Sequence, residues 1–447
     1  MAHQHHSPPV NTEGKTGFRK GGAFLIAGLT SGHGVFHWFT RSFEVMMPEV
    51  REFFGLTGVG IGGIATTREL ASGLVSLPGG IVTDMLRKYW GWVLAGCMAL
   101  FGVGWLVIGL APIYPILLLG MALVAIAASI WHLPAMSALS HHFSHHRGSA
   151  LSFHGVGGQI GDAIAPIITG AVITGVTVGG TLVILAWNEL ISIYAVVPLL
   201  LTFLVFWAFK DLGKTAGDTV QESTPKQQLA ASGALLRNGR LMAITLVAGL
   251  RGMAFVAYIP FLALYLHDVL KMSAVERGGS LTILVIVGIF STPIMGFLSD
   301  KFGRKLVLIP GMLFLGIMTV LLVPYGQGWA LIAILALLGT FLFSDQPILT
   351  AAALDVVGEG VAATTLGVIS FSRFVLSASS PIIAGFLYNA DPSYPFYYIA
   401  ALFGVAAIIM FMIPLPKLQP ASHGHDDHGH DDHGHDDHGH DDHGHDD

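Results

Sequence analysis

Charged residues are scarce in this chain of 447 residues. Only 11% of its residues are Asp, Glu, Lys or Arg, whereas water-soluble domains carry about 25% charged residues. Hydrophobic residues make up 53% of the chain, and its mean hydropathy is +0.67. A soluble fold of this composition would have too few polar side chains to cover its surface. The composition therefore excludes an ordinary soluble globular protein.

Cysteine is nearly absent as well, because Cys97 is the only one, and no intrachain disulfide can form. The chain contains no nucleotide-binding loop and no nucleophile motif. No small-residue cleavage site follows a short apolar core near the polar N-terminus, so we expect no removable signal peptide. We therefore expect neither enzyme activity, nor a required cofactor, nor a nucleic-acid partner.

The apolar residues are grouped in blocks of about 20, the length that crosses the ~30 Å hydrocarbon core of a bilayer. Twelve such blocks predict an all-α membrane protein with twelve transmembrane helices. The predicted spans of the first half are 21–41, 57–82, 91–111, 114–140, 148–176 and 187–209. Those of the second half are 240–266, 279–298, 305–324, 328–350, 362–388 and 394–415.

Polar stretches divide these spans into two bundles of six helices. The predicted organisation is a cytoplasmic N-terminal segment (1–20), a first bundle (21–209), a cytoplasmic linker (210–239), a second bundle (240–415) and a disordered tail (416–447). The linker contains charged residues and Pro225 but no apolar span. We expect the lipid bilayer and a small-molecule or ion substrate as partners, and a monomer.

Lysine and arginine are distributed unevenly between the two sides of the predicted spans. With the N-terminus in the cytoplasm, most cations are cytoplasmic, and only Arg51, Lys271 and Arg277 lie in outer loops, with Arg41 at a helix end. This asymmetry satisfies the positive-inside rule. We therefore predict a multi-pass protein of the cell (inner or plasma) membrane with both termini cytoplasmic.

Two short motifs recur at nearly the same shift along the chain. Gly-Ile-Val-Thr-Asp-Met-Leu-Arg-Lys (80–88) matches Gly-Phe-Leu-Ser-Asp-Lys-Phe-Gly-Arg-Lys (296–305) at a shift of 216 residues. Ala-Pro-Ile-Ile-Thr-Gly (165–170) matches Ser-Pro-Ile-Ile-Ala-Gly (380–385) at a shift of 215 residues. Duplicated halves are common in transporters, so the chain is interpreted as two pseudo-symmetric bundles.

Residues 296–305 resemble the signature G-x-L-a-D-r-x-G-r-[kr] of the major facilitator superfamily, at its expected place between spans 8 and 9. With the copy at 80–88, the resemblance covers residues 20 to 415. It implies a major facilitator fold and a latch on the cytoplasmic side. The residues to which it assigns the latch are Gly80, Asp84, Gly296, Asp300, Gly303, Arg304 and Lys305. Glycines at such positions let helices approach closely. Arg87 replaces the second glycine in the first copy.

Spans 4 and 5 carry a narrower resemblance. Ile-Trp-His-Leu-Pro-Ala (130–135), Arg-Gly-Ser-Ala-Leu-Ser-Phe (147–153) and Gly-Gly-Gln-Ile-Gly (157–161) are similar to the fosmidomycin-resistance branch of the superfamily. That branch implies export of drugs in exchange for protons. Ala165 replaces the glycine that precedes the proline of exporters, and span 4 lacks the arginine of many proton antiporters.

Ionisable side chains inside a membrane are costly, roughly 2.5–3.5 kcal/mol at mid-helix, and each is a functional candidate. His33, His37 and Arg41 are spaced by four residues along one face of span 1. His132 and Asp345 each stand two residues before a proline, in the symmetry-related spans 4 and 10. We expect this pair to face one cavity and to couple transport to protons or cations. Further candidates are His154, Asp162, Arg251 and Arg373.

The last 25 residues are five copies of His-Gly-His-Asp-Asp. Their histidines are His423, His425, His428, His430, His433, His435, His438, His440, His443 and His445. Histidine and carboxylate bind borderline divalent ions such as Zn²⁺, Ni²⁺ and Co²⁺. The tail is therefore predicted to be disordered and to bind metal, which it can sense, buffer or deliver.

Three hypotheses for function follow. The first is alternating-access, proton-coupled export or exchange of a small organic solute. The second is efflux of a divalent metal that the histidine-rich segments collect at the cytoplasmic mouth. The third is a metal-responsive membrane sensor without transport.

Overall fold

The structure, a computed structural model, describes residues 21–143, 146–213, 237–357, 371 and 373–415. Within these ranges, the description does not extend to the side chains of residues 76–78, 80–82, 84, 147, 148 and 178. All the described residues belong to one compact unit. The tail histidines lie outside the described residues.

The first half of the chain is helical almost throughout. Its helices are α1 (Gly22–Val45), α2 (Met47–Phe54), α3 (Gly58–Met85), α4 (Trp90–Gly109), α5 (Tyr114–His142), α6 (Arg147–Thr174) and α7 (Trp187–Phe209). A 3-10 turn (Arg87–Tyr89) precedes α4. Between α6 and α7, β1 (Val176–Val178) and β2 (Thr181–Val183) form an antiparallel hairpin, with Thr177 opposite Leu182.

The second half repeats the helical pattern. Its helices are α8 (Gly239–Asp268), α9 (Ala274–Phe302), α10 (Arg304–Tyr325), α11 (Gly328–Leu342), α12 (Asp345–Val357), α13 (Ser380–Ala390) and α14 (Tyr394–Met412). Residues 373–377 are helical as well and lead into α13. Nine helices in the described part of the chain are long and apolar enough to cross a membrane.

The predicted spans agree with these helices to within a few residues at most ends, with one internal difference. The first part of span 11, residues 362–370, lies outside the described residues. Span 10, predicted as continuous over 328–350, is broken at Phe343 and Ser344 and continues as α12. Pro347, in the first turn of α12, has no N–H to donate to the carbonyl group of Phe343. The amphipathic helix α2 and the β-hairpin are additional elements that hydropathy alone does not indicate.

The helix ends define two faces of the bundle. We call the face at which α7 ends and α8 begins the linker face, and the face that carries the β-hairpin the hairpin face. The hydrogen bonds and ion pairs observed between the two halves lie towards the hairpin face. The described contacts therefore close the protein at that face.

The recurring Pro-Ile-Ile-x-Gly motif forms much of this closure. A Cβ atom at Gly278 of α9 would clash with the carbonyl oxygen of Pro166 in α6, and one at Gly62 of α3 would clash with that of Pro381 in α13. The two contacts are related by the same shift as the sequence repeat. The halves therefore meet through two symmetry-related pairs of helices, α6 with α9 and α3 with α13, at near backbone contact.

Ion pairs also connect the two halves at the hairpin face. Arg51 of α2 donates to Asp268 at the end of α8, with 2.7 Å from Nη2 to Oδ1, and the Tyr388 hydroxyl donates to the same carboxylate at 2.6 Å. Arg277 of α9 is almost fully buried and pairs with Glu49 of α2. Each ion pair joins one half of the chain to the other.

Candidate translocation and coupling site

Four histidines from three helices meet inside the first half. His33 and His37 lie one turn apart on α1, His132 lies on α5 and His154 lies on α6. The ring centroid of His33 is 4.5 Å from that of His37, 4.8 Å from that of His132 and 4.3 Å from that of His154, on which it stacks. One ring nitrogen each from His33, His37 and His132 lies within 4.8 Å of the other two. We call His33, His37 and His132 the histidine trio.

Glycines in α6 make room for these rings. A Cβ atom at Gly158 would stand 2.8 Å from Cε1 of His33 and 2.9 Å from Cδ2 of His37. A Cβ atom at Gly157 would clash with the carbonyl oxygen of Thr30, so α1 and α6 are in backbone contact beside the trio. The Gly157-Gly158 pair therefore positions two histidine rings against a bare stretch of helix.

The Nδ1 atom of each trio histidine has a partner that can only accept a hydrogen bond. His33 Nδ1 is 2.8 Å from the carbonyl oxygen of His154, and His132 Nδ1 is 2.6 Å from that of Ala128. His37 Nδ1 is 3.0 Å from Oδ1 of Asp162. Since carbonyl and carboxylate oxygens accept, each Nδ1 carries the proton, and in a neutral ring the lone pair is on Nε2.

A buried charge network continues from His37 towards the hairpin face. Arg41 donates from Nε to Asp162 Oδ1 at 2.9 Å and from Nη1 to Glu44 Oε2 at 2.7 Å. Arg68 of α3 lies 3.6 Å from Glu44. Arg41, Glu44 and Asp162 are each at most 8% exposed, and buried charges persist only when they are paired in this way. The network ties α1 to α3 and α6.

The second half holds its own buried ion pair at the helix break. Arg251 of α8 donates from Nε to Oδ1 of Asp345 at 2.8 Å and from Nη2 to the carbonyl oxygen of Leu342 at 2.8 Å. Asp345 is 0% exposed, and its Oδ2 has no well-formed hydrogen bond with the described residues. Arg373 lies beside this pair, with its Cγ against Gly252 of α8. The break thus exposes backbone polar groups to an arginine.

The structure does not bring His132 and Asp345 together as the sequence predicts. His132 belongs to the histidine trio in the first half, whereas Asp345 is bound to Arg251 in the second. Asp345 is fully buried, so the shared, water-accessible cavity predicted for the two side chains is not observed for Asp345 in this conformation. Packing against Arg251 removes this carboxylate from water.

The signature loop forms a polar network at the linker face. Arg304 pairs with Asp300 and donates from Nε to Asp355 Oδ2 at 3.1 Å, joining α10 to the end of α12. Lys305 donates to the carbonyl oxygen of Phe411 at 2.7 Å. Gly303 has φ +102°, a left-handed conformation that favours glycine. These contacts all lie within the second half.

One glycine of the signature differs from expectation. No heavy atom among the described residues lies within 4 Å of a Cβ atom placed on Gly296, so the close helix approach expected there is not present. In the first copy, the surroundings of Gly80 and the side chain of Asp84 are outside what the structure describes.

Sequence reasoning missed several members of these networks. Glu44 follows Arg41 by three residues, a helical spacing that brings side chains together, and this signal was available. No sequence spacing indicates the roles of Asp355 and Gln346, because their contacts with Arg304 and Arg251 join separate helices. In contrast, Arg68 and Glu69 are recognisable in the sequence as neighbouring charges within span 2, for which a structural role is expected. They lie 3.7 Å apart and are linked to the second half by the hydrogen bond from Ser377 to Glu69.

Comparison with known proteins agrees with this architecture. The profile of the Major Facilitator Superfamily matches residues 29–381 and 280–430. The chain is 23% identical over 387 residues to the MFS-type transporter YfnC of Bacillus subtilis (strain 168), covering 85% of this chain and 91% of that protein. It is 31% identical over 153 residues to the fosmidomycin resistance protein of Escherichia coli (strain K12), covering 34% of this chain and 36% of that protein.

Solved structures share the fold at low sequence identity. A bacterial homologue of the human lysosomal transporter Spinster, inward-facing and occupied, superposes with a TM-score of 0.72 at 16% identity, covering 88% of this chain and 96% of that chain. A D-xylose-proton symporter superposes with a TM-score of 0.66 at 16% identity, covering 89% of this chain and 99% of that chain. The profile match, the duplicated helical halves and the signature loop together show that this multi-pass membrane protein, a transporter and not an enzyme, belongs to the major facilitator superfamily.

Proposed function

We propose that the protein exports or exchanges a small organic solute against protons by alternating access. The observation that carries the proposal is the fully buried pair of Arg251 and Asp345 at the break between α11 and α12. A carboxylate with one oxygen on an arginine and the other lacking a well-formed hydrogen bond has a place for a proton. Organic cargo is supported by the similarity to a protein whose name records resistance to a small organic compound.

Proton binding to Asp345 alters the packing of α8 on α12 in this proposal. Arg251 faces Asp345 from α8, and the nearby Arg373 adds a second positive charge. Protonation of Asp345 would leave Arg251 without its counter-charge. Breaking a buried ion pair by removing one partner costs about 3–5 kcal/mol, so Arg251 would not keep its present position at low cost. Arg251 would then turn to another anion or to water, which favours a different arrangement of the helices that line the cavity.

The orientation of the termini is part of the same proposal. With both termini cytoplasmic, as the distribution of lysine and arginine favours, the closed hairpin face is outside and the described conformation faces inward. Asp300, Arg304 and Asp355 are then at the cytoplasmic mouth, where we propose that they change partners as the second bundle moves. We further propose that a monomer is the transporting unit in the cell (inner or plasma) membrane.

The test uses purified protein in lipid vesicles with an imposed pH gradient and fosmidomycin as the probe solute. Fosmidomycin movement is expected to follow the gradient, and a pH-sensitive dye should report opposing proton movement. Asp345→Asn, which cannot release a proton, should abolish the response to the gradient while exchange at equal pH persists. Glu189→Gln, at an exposed site in the first turn of α7, is the matched control. Gradient-driven movement that is identical in Asp345→Asn and the control would refute the coupling role.

A second candidate function is efflux of a divalent metal, favoured by the histidine trio, whose ring nitrogens converge within 4.8 Å. The same vesicles, loaded with a metal-sensitive dye and supplied with Zn²⁺, Ni²⁺ or Co²⁺, test it directly. Movement of metal with no movement of fosmidomycin would favour this candidate. If neither probe nor protons move, the sensor hypothesis gains support.

A further inference from the structure

We propose that His33, His37 and His132 form a binding site for a divalent transition metal, Zn²⁺, Ni²⁺ or Co²⁺, within the membrane-spanning part of the first half. The site is distinct from the histidine-rich tail, which lies outside the described residues. The inference deepens the second candidate of the proposed function and rests on it only for the claim that metal is cargo. Binding itself requires the three histidines alone.

Hydrogen bonds determine which nitrogen of each trio ring carries the proton. All three Nδ1 atoms face oxygens that only accept hydrogen bonds, namely the carbonyl groups of His154 and Ala128 and the carboxylate of Asp162. The neutral rings consequently keep their lone pairs on Nε2, and no hydrogen bond to these Nε2 atoms is present among the described residues. Three metal-binding lone pairs are therefore available in one cluster.

The spacing of the ring nitrogens is close to that of a metal site. A tetrahedral metal with N ligands at about 2.0–2.1 Å holds the nitrogen atoms about 3.3 Å apart, and one ring nitrogen of each trio histidine lies within 4.8 Å of the other two. Rotation of the side chains between staggered rotamers closes the difference in this proposal. His33 and His37 have the i, i+4 spacing with which two helical histidines bind one zinc ion.

The hydrogen-bond acceptors around the trio are those that metal-bound histidines use. Metal-bound histidines commonly donate their other N–H to a carboxylate or a backbone carbonyl group, which fixes the ring and raises its basicity. His37 has the carboxylate of Asp162, and His33 and His132 have backbone carbonyl groups. A cluster of histidines that only filled space would not need all three rings to be oriented through the same atom.

Ligand chemistry decides the class of ion. Three imidazole nitrogens suit Zn²⁺, Ni²⁺, Co²⁺ or Cu²⁺, whereas Mg²⁺ and Ca²⁺ prefer oxygen ligands. Three protein ligands leave a fourth position for water, as in exchangeable rather than closed structural sites. The side chain of His37 is 34% exposed, so the trio is not completely enclosed by protein atoms.

The experiment measures Co²⁺ binding to the full-length protein in detergent, with the ten tail histidines from His423 to His445 replaced by glutamine. Visible absorption reports the coordination of Co²⁺, and Zn²⁺ is added as a competitor. We expect one Co²⁺ with the absorption of a four- or five-coordinate nitrogen site, displaced by Zn²⁺. His33→Gln, His37→Gln and His132→Gln should each weaken binding by at least about tenfold, the lower end of the effect of losing even an outer-shell partner.

Two further variants separate coordination from folding. Gly158→Ala keeps every histidine but places a methyl group against His33 and His37, so it should also weaken Co²⁺ binding. His267→Gln, at the hairpin face, removes a histidine outside the trio and should leave the spectrum unchanged. Thermal unfolding without metal identifies any variant that fails to fold. Equal Co²⁺ binding in the three trio variants and in His267→Gln would overturn the proposal.

The outcome is independent of transport. If Co²⁺ binds the trio but neither metal nor protons move in vesicles, the inference stands and the proposed function fails. If fosmidomycin moves against protons but the trio variants bind Co²⁺ as well as the parent protein does, the inference fails and the proposed function stands.

Discussion

His37 donates from Nδ1 to Oδ1 of Asp162 over 3.0 Å, which joins α1 to α6 across 125 positions of the chain. The same carboxylate oxygen accepts from Arg41 at 2.9 Å. Asp162 therefore orients a histidine of the trio and neutralises a buried arginine. Replacing it separates these two roles.

Asp162→Asn is expected to destabilise the protein, because it leaves Arg41 buried with Glu44 as its only close acid partner. Removing one member of a buried ion pair costs about 3–5 kcal/mol. Thermal unfolding in detergent should show a lower midpoint for Asp162→Asn than for the control Glu189→Gln, at an exposed site of α7. The double variant Arg41→Gln with Asp162→Asn should be less destabilised than the sum of the single variants. Additive effects would contradict a direct interaction.

Gly62→Val and Gly278→Val should each open the hairpin face, because a side chain at either position clashes with a proline carbonyl oxygen of the opposite half. Ala378, which is 3% exposed between α3 and α13, provides the reporter. A cysteine at this position should react with a water-soluble maleimide severalfold faster in the Gly62→Val background. Gly96→Val is the matched control, since no heavy atom of another described element lies within 4 Å of its Cβ position. Unchanged labelling would show that these contacts do not hold the closed state.

The linker is expected to be accessible from the cytoplasm only. A single cysteine at Ser232, in a Cys97→Ala background, should react with a membrane-impermeant maleimide in inside-out vesicles and not in intact cells. A cysteine at Thr181, in β2 of the hairpin face, should show the opposite pattern. Reaction at Ser232 from outside would reverse the proposed topology.

The tail is expected to bind Zn²⁺, Ni²⁺ or Co²⁺ weakly at each site, because a disordered chain must be ordered with every ion bound. Binding should weaken as the pH falls below about 6.5, where free histidine becomes protonated and no longer acts as a ligand. Calorimetry on a peptide of residues 423–447 at pH 7.5 and pH 5.5 measures both expectations. No heat of binding at pH 7.5 would exclude a metal-binding role for the tail.

Deleting residues 423–447 distinguishes the roles of that metal. If the tail senses or buffers metal, deletion should leave fosmidomycin movement nearly intact and abolish its response to metal. If metal is cargo delivered to the trio, deletion should raise the concentration required for half-maximal metal efflux and leave the maximal rate similar. If metal is cargo, His37→Gln should in addition lower the maximal rate of metal efflux.

Helix placement and the duplicated halves could be predicted from the sequence because both depend on local properties. In a bilayer, each helix must satisfy its own backbone hydrogen bonds and cover ~30 Å, so apolar length alone locates it. The span at 187–209 agrees with α7 at both ends. The break at Phe343 was missed although Pro347 is visible in the sequence, because prolines such as Pro134 in α5 also occur within unbroken helices.

The partners of the intramembrane charges were decided by tertiary structure. The sequence by itself determined which ionisable residues lie within the spans, since their cost in the membrane marks each one. It did not determine that His33 meets His132, or that Asp345 pairs with Arg251 rather than facing His132. Those contacts depend on the rotation and separation of helices, which are set by packing at glycines such as Gly158 that have no charge or hydropathy signal of their own.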